Sequence, residues 1–143
     1  RAWKGQLERF GKDHRAEAPD LRGVNLSEQP ADLAAYALPK LVADVRALGE
    51  RYSPDRPFVL VGHDWGGAIA WAFAIAHPER LRRLVIVNAP HPGVFARLLA
   101  NDPAQQRASA YMHAFRSPDA EKVLSADRFK ALAAGVFNAS FSE

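Results

Sequence analysis

Three observations predict an α/β fold, with a parallel sheet flanked by helices. Phe58-Val59-Leu60-Val61 is an uninterrupted apolar run, as expected of a parallel strand covered on both faces. A second such run, Leu84-Val85-Ile86-Val87, follows a helix of small residues, completing a strand–helix–strand unit. Upstream, Leu41, Val42, Val45 and Leu48 recur at helical spacing and form an apolar face that a sheet would cover. The composition fits a folded chain: of 143 residues 48% are hydrophobic and 24% charged, with ten prolines and nine glycines dispersed. That balance excludes disorder, collagen and coiled coil.

Taken in order, Trp3 to Phe10 reads as the end of an amphipathic helix with Trp3, Leu7 and Phe10 on one face. Arg15 to Pro19 is an extended stretch, read as a strand end, in which Glu17 is out of place if the strand is buried. Asp20-Leu21-Arg22-Gly23 opens a loop that runs through Asn25, Ser27 and Pro30. Leu38 to Tyr52 is the next helix, with Arg46 and Glu50 four apart on its polar side and Pro54 and Pro57 closing it. The strand Phe58–Val61 leads into Gly62-His63-Asp64-Trp65-Gly66-Gly67, then a helix from Ala68 to about His77, stopped by Pro78. From Val94 onward only helical patterns remain, broken at Pro103 and Pro118. The expected division is a core over residues 1–94 and the start of a helical module over residues 95–143.

Gly62-x-Asp64-x-Gly66 between a buried strand and a helix has the spacing of a nucleophile elbow, in which a strained turn lifts the central side chain above the sheet. Gly62 lets the strand end meet the helix, and Gly66 and Gly67 leave room for its first turn. The helix N-terminus favours a carboxylate at Asp64, which reads as a nucleophile or, more plainly, as an N-cap. A carboxylate suits attack on a saturated carbon bearing a leaving group. The resulting alkyl ester is then cleaved by water at the Asp carbonyl, and the backbone N–H of Trp65 stands where one donor to that oxyanion is expected. The Trp65 indole could bind a leaving halide or wall a pocket. Tyr111, in Tyr111-Met112-His113-Ala114-Phe115, carries a phenol whose O–H can donate a hydrogen bond at neutral pH. It equally belongs to a stripe of Ala108, Tyr111, Met112 and Phe115 that would serve as ordinary core.

The segment Val59 to Phe95, VLVGHDWGGAIAWAFAIAHPERLRRLVIVNAPHPGVF, resembles the nucleophile region of epoxide hydrolases of the α/β-hydrolase fold. Pro19-Asp20-Leu21-Arg22-Gly23 and Asn25-Leu26-Ser27 are similar to a loop after an earlier strand of that family. The resemblance implies that Asp64 forms the alkyl-enzyme ester, that a His paired with an acid activates water, and that two lid tyrosines, Tyr111 in the position of the first, hydrogen-bond the epoxide oxygen. It implies a small apolar epoxide and water as reactants, a vicinal diol as product, and no cofactor or metal. His63 would support the elbow rather than act as base. His77, His91 and His113 follow Asp64 but none stands after a final strand, and the family's His-Gly-x-Pro is absent; the chain is expected to be an internal segment of a longer protein. Two alternatives stay open: a haloalkane dehalogenase using the same ester, and a non-catalytic binding protein of this fold.

Other features exclude more than they assign. The net charge of +3 is too mild to imply nucleic acid, and the basic knot Arg80, Arg82 and Arg83 reads as a solvated face. The longest uncharged apolar run, Trp65 to Ala76, falls short of the roughly 18 to 20 residues of a membrane span. The absence of cysteine removes disulfides and thiolate metal sites, and Asp119 and Glu121 lack companions at ligand spacing. A cytoplasmic location is the default expectation; oligomeric state is not legible.

Overall fold

The computed structural model describes residues 2–136. The chain separates into two compact units, one ending at Ala89 and the other beginning at Pro90.

The first unit opens with helix α1 (Lys4–Phe10), followed by a loop and a single 3-10 turn, Leu33–Tyr36. Helix α2 (Leu38–Tyr52) has Pro39 in its first turn, where a missing N–H costs nothing. Strand β1 (Phe58–His63), helix α3 (Trp65–Ala76) and strand β2 (Leu81–Val87) complete the unit. The two strands are parallel, with Leu60 opposite Leu84, Val61 opposite Val85 and His63 opposite Val87.

Phe58, Leu60 and Gly62 face the helices. Phe73 of α3 is fully buried against the Phe58 ring, whose centroid is 5.7 Å away. A Cβ on Gly49 of α2 would stand 2.6 Å from the same ring, so a glycine is needed there for α2 to come this close. Ile69, Ala70 and Phe73 form the buried core.

The other face is open among the described residues. Val59, Val61, Val85 and Val87 are 49%, 45%, 43% and 39% exposed, because the described helices that pack on the strands do so on the Phe58 face. Among the described residues β1 pairs with β2 alone. The expected strand end at Arg15–Pro19 carries no regular secondary structure and joins no ladder there, and Glu17 is accounted for by an exposed ion pair with Arg15 at 3.1 Å. A groove lined by Leu7, Leu21, Leu48, Leu60 and Ile69 lies beside β1. Phe10, expected on a buried face of α1, is 53% exposed.

The loop after residue 19 is held by side chains. Arg22 donates from Nε and Nη2 to the two carboxylate oxygens of Asp44 on α2, at 2.9 and 2.7 Å. This paired hydrogen bond raises the Arg22 pKa above its ordinary value, so the guanidinium stays charged at any pH used in an assay. Gly23 has φ +82°, and a Cβ there would stand 2.6 Å from the Tyr36 ring. The Tyr36 hydroxyl donates to the Pro30 carbonyl at 2.8 Å.

In the second unit α4 (Pro92–Asn101) is capped by His91, whose Nδ1 accepts from Gly93 N–H at 3.2 Å. Asp102 caps α5 (Pro103–Ala108), accepting from Ala104 N–H and Gln105 N–H. The break expected at Pro103 is therefore a helix start. Helices α6 (Tyr111–Phe115) and α7 (Ala120–Val136) follow on either side of Pro118. The expected core boundary at residue 94 falls inside α4, and residues 137–143 of the expected helical module lie outside the described residues. No described helix is long and apolar enough to cross a membrane.

Candidate active site

Strand β1 ends at His63 and α3 begins at Trp65, so Asp64 alone makes the join. Its backbone is at φ 51° and ψ −123°, a region that costs a residue with a Cβ about 1–3 kcal/mol. Both backbone groups are engaged: Asp64 N–H donates to the Val87 carbonyl at 3.2 Å, and its carbonyl accepts from Ala68 N–H at 3.0 Å. The carboxylate does not cap α3. The plainer reading, an N-cap, therefore has no hydrogen bond behind it, and the side chain is exposed.

The helix begins one residue beyond Asp64, earlier than the expected Ala68. That puts the N–H groups of Trp65, Gly66 and Gly67 in the first turn, where a helix supplies no acceptors, and the positive end of its dipole lies beside the acid. The Trp65 N–H is thus of the right kind to serve an oxyanion. Trp65 is 71% exposed, so its ring is not part of the buried core among the described residues.

The glycines divide by role. A Cβ on Gly62 would stand 2.5 Å from the Gly66 carbonyl oxygen and 2.8 Å from Gly67 Cα and Ala70 Cβ, so the strand end meets the helix only as glycine. Gly67 is closed in by the Ala89 methyl. Gly66 differs from the expectation that it leaves room for the helix: nothing among the described residues lies within 4 Å of a Cβ there, and the residue opens onto the groove beside β1 together with His63. No hydrogen bond among the described residues ties the His63 ring to the elbow.

The remaining candidates are dispersed. Tyr111 starts α6 in the second unit, 48% exposed, with its ring edge-on to Phe115 at 5.4 Å. The expected Ala108–Phe115 stripe is thus not a buried core among the described residues. His77 closes α3 against Phe73, ring centroids 5.1 Å apart, and His91 is a cap. Arg80 donates to the carbonyls of Ser53 at 3.0 Å and Pro54 at 3.1 Å, closing the end of α2, while Arg82 and Arg83 are exposed residues of β2. The three arginines are not one knot. No His, Asp or Glu cluster able to hold a metal is found among the described residues.

A family model described as the alpha/beta hydrolase fold matches residues 2–136. The chain belongs to the alpha/beta hydrolase fold family. It is similar to "Epoxide hydrolase 4" of Mus musculus, 39% identical over 132 residues, which is 92% of this chain and 36% of that protein. It also matches "AB hydrolase superfamily protein YfhM" of Bacillus subtilis, at 37% identity over 82% of this chain and 41% of that protein. Among solved structures, an epoxide hydrolase of Bacillus megaterium in complex with an inhibitor superposes with a TM-score of 0.85 at 38% identity, over 95% of this chain and 48% of that one. The chain therefore spans less than half the length of these relatives. In this hydrolase setting, two features that sequence reading did not single out are the bond from Asp64 N–H to Val87 and a bond from the Trp71 indole to the Ala89 carbonyl. An indole seven residues beyond the elbow, on the same helix, was the available signal.

Proposed function

We propose that the complete polypeptide opens an epoxide to a vicinal diol, with Asp64 as nucleophile. The observation that carries this reading is the strained Asp64 backbone at a strand–helix junction, with its carboxylate unused by the helix. Similarity to proteins named epoxide hydrolases supports the substrate class. A carboxylate oxygen of Asp64 attacks one epoxide carbon and the C–O bond to the ring oxygen breaks, with a proton passing to that oxygen. Water then adds at the Asp64 carbonyl carbon, the oxyanion is met by the Trp65 N–H, and collapse releases the diol and restores the carboxylate.

The oxygen source tests the covalent route. One turnover of excess enzyme in heavy-oxygen water is expected to give diol without label, its new oxygen coming from Asp64. Label in that first product would mean direct attack by water, and halide release from a haloalkane without epoxide turnover would favour the dehalogenase reading.

Tyr111 is assigned the donor to the opening oxygen. Tyr111→Phe is expected to slow ester formation by about 10²-fold, as loss of a positioned acid does, with less effect on ester hydrolysis. Rapid-quench measurement of the two steps checks this, and equal slowing of both would return the residue to a packing role.

A further inference from the structure

We infer that Trp71 is a positioning residue for the elbow, acting through the segment that leaves β2; its effect on turnover rests on the function proposed above. The strained Asp64 backbone needs its surroundings to hold it. One direct hold is the bond from Asp64 N–H to the Val87 carbonyl, 3.2 Å. Val87 is the last residue of β2 and pairs with His63 at the end of the ladder, so its carbonyl stays in place only while the chain beyond it does.

Immediately beyond, Asn88 turns out of the strand at φ 53°. Ala89 is then held in two ways. Its carbonyl accepts from the Trp71 indole Nε1–H at 3.3 Å, in a part-buried setting, and its methyl lies against Gly67 of α3. Asp64 and Trp71 thus grip the same exit from opposite ends of three residues, Val87 to Ala89. Without the indole N–H, the Ala89 carbonyl loses its donor on α3, the exit lifts more readily, and the Val87 carbonyl moves off the Asp64 N–H. The consequence falls on the angle at which Asp64 presents its carbonyl to the Trp65 N–H, and so on ester hydrolysis more than on substrate binding.

The test is Trp71→Phe in the complete polypeptide, which keeps an aromatic ring and removes the donor. Amide hydrogen exchange of Asp64, measured relative to Leu60 in the middle of β1, is expected to accelerate about tenfold, the size of effect a lost hydrogen bond produces. The single-turnover rate of ester hydrolysis is expected to fall about fivefold to tenfold with KM nearly unchanged. Phe73→Leu, a core change remote from the exit, lowers stability without touching this bond and is expected to alter neither ratio. Unchanged Asp64 exchange in Trp71→Phe, or the same pattern in Phe73→Leu, overturns the inference. Should Trp71→Phe not fold, the tryptophan analogue with sulfur in place of the indole N–H gives the same readout. The exchange measurement does not depend on the substrate, so a wrong reaction assignment, seen as diol formation surviving Asp64→Ala, is separable from a wrong role for Trp71.

Discussion

Asp64→Ala in the complete polypeptide is expected to lower the rate of diol formation by about 10⁴-fold or more, the scale of loss when a covalent nucleophile is removed. An alanine leaves no atom to form the ester, and the first-turn amides of α3 then face an oxyanion that never forms. The backbone constraint makes a second outcome separable from the first. Alanine inherits φ 51° and ψ −123° with its Cβ still present, so the strain remains. Glycine relieves it. Asp64→Gly is therefore expected to be equally inactive yet more stable than Asp64→Ala by about 1 kcal/mol, reversing the usual order in which glycine is the less stable of the two. Denaturant midpoints of the two variants check the ordering, and diol formation by either would remove Asp64 from the mechanism.

The second large effect is expected at Gly62. In Gly62→Ala the new methyl meets the Gly66 carbonyl oxygen at 2.5 Å and Gly67 Cα at 2.8 Å, both main-chain atoms that no rotamer change can move. The strand end and the first turn of α3 must separate, at a cost of about 3 kcal/mol, the upper part of the range for overpacking. Thermal unfolding reads this directly. Activity should fall as well, because the same separation shifts the Asp64 backbone against the Trp65 N–H. A stable and fully active Gly62→Ala enzyme would mean that the elbow has slack the structure does not show.

The elbow was legible in the sequence because its signals are local. Glycine at positions 62 and 67, an acid between a buried strand and a helix of small residues, and the apolar runs on either side all act within one turn or one strand. The bounds of α2 were readable for the same reason: its periodicity runs from Leu41 to Leu48 and prolines stand near both ends. Position 66 was misread, since spacing alone cannot say which glycine is crowded. Gly62 and Gly67 meet neighbouring atoms, while Gly66 faces a groove.

Partner choice was not legible. Arg22 finds Asp44, Arg80 finds the carbonyls ending α2, and Trp71 finds Ala89, across separations of 22, 26 or 27, and 18 residues. Such pairings depend on where elements come to rest, and no periodicity encodes that. In the described unit the valine face of the sheet is exposed, with α3, and α2 beside it, on the other side. The order of elements and the identity of the candidate nucleophile thus follow from short-range patterns of polarity and residue size. Which side of the sheet is covered, which side chains hold the loops, and what braces the strained residue follow from long-range packing, because only the folded chain brings those groups within bonding distance.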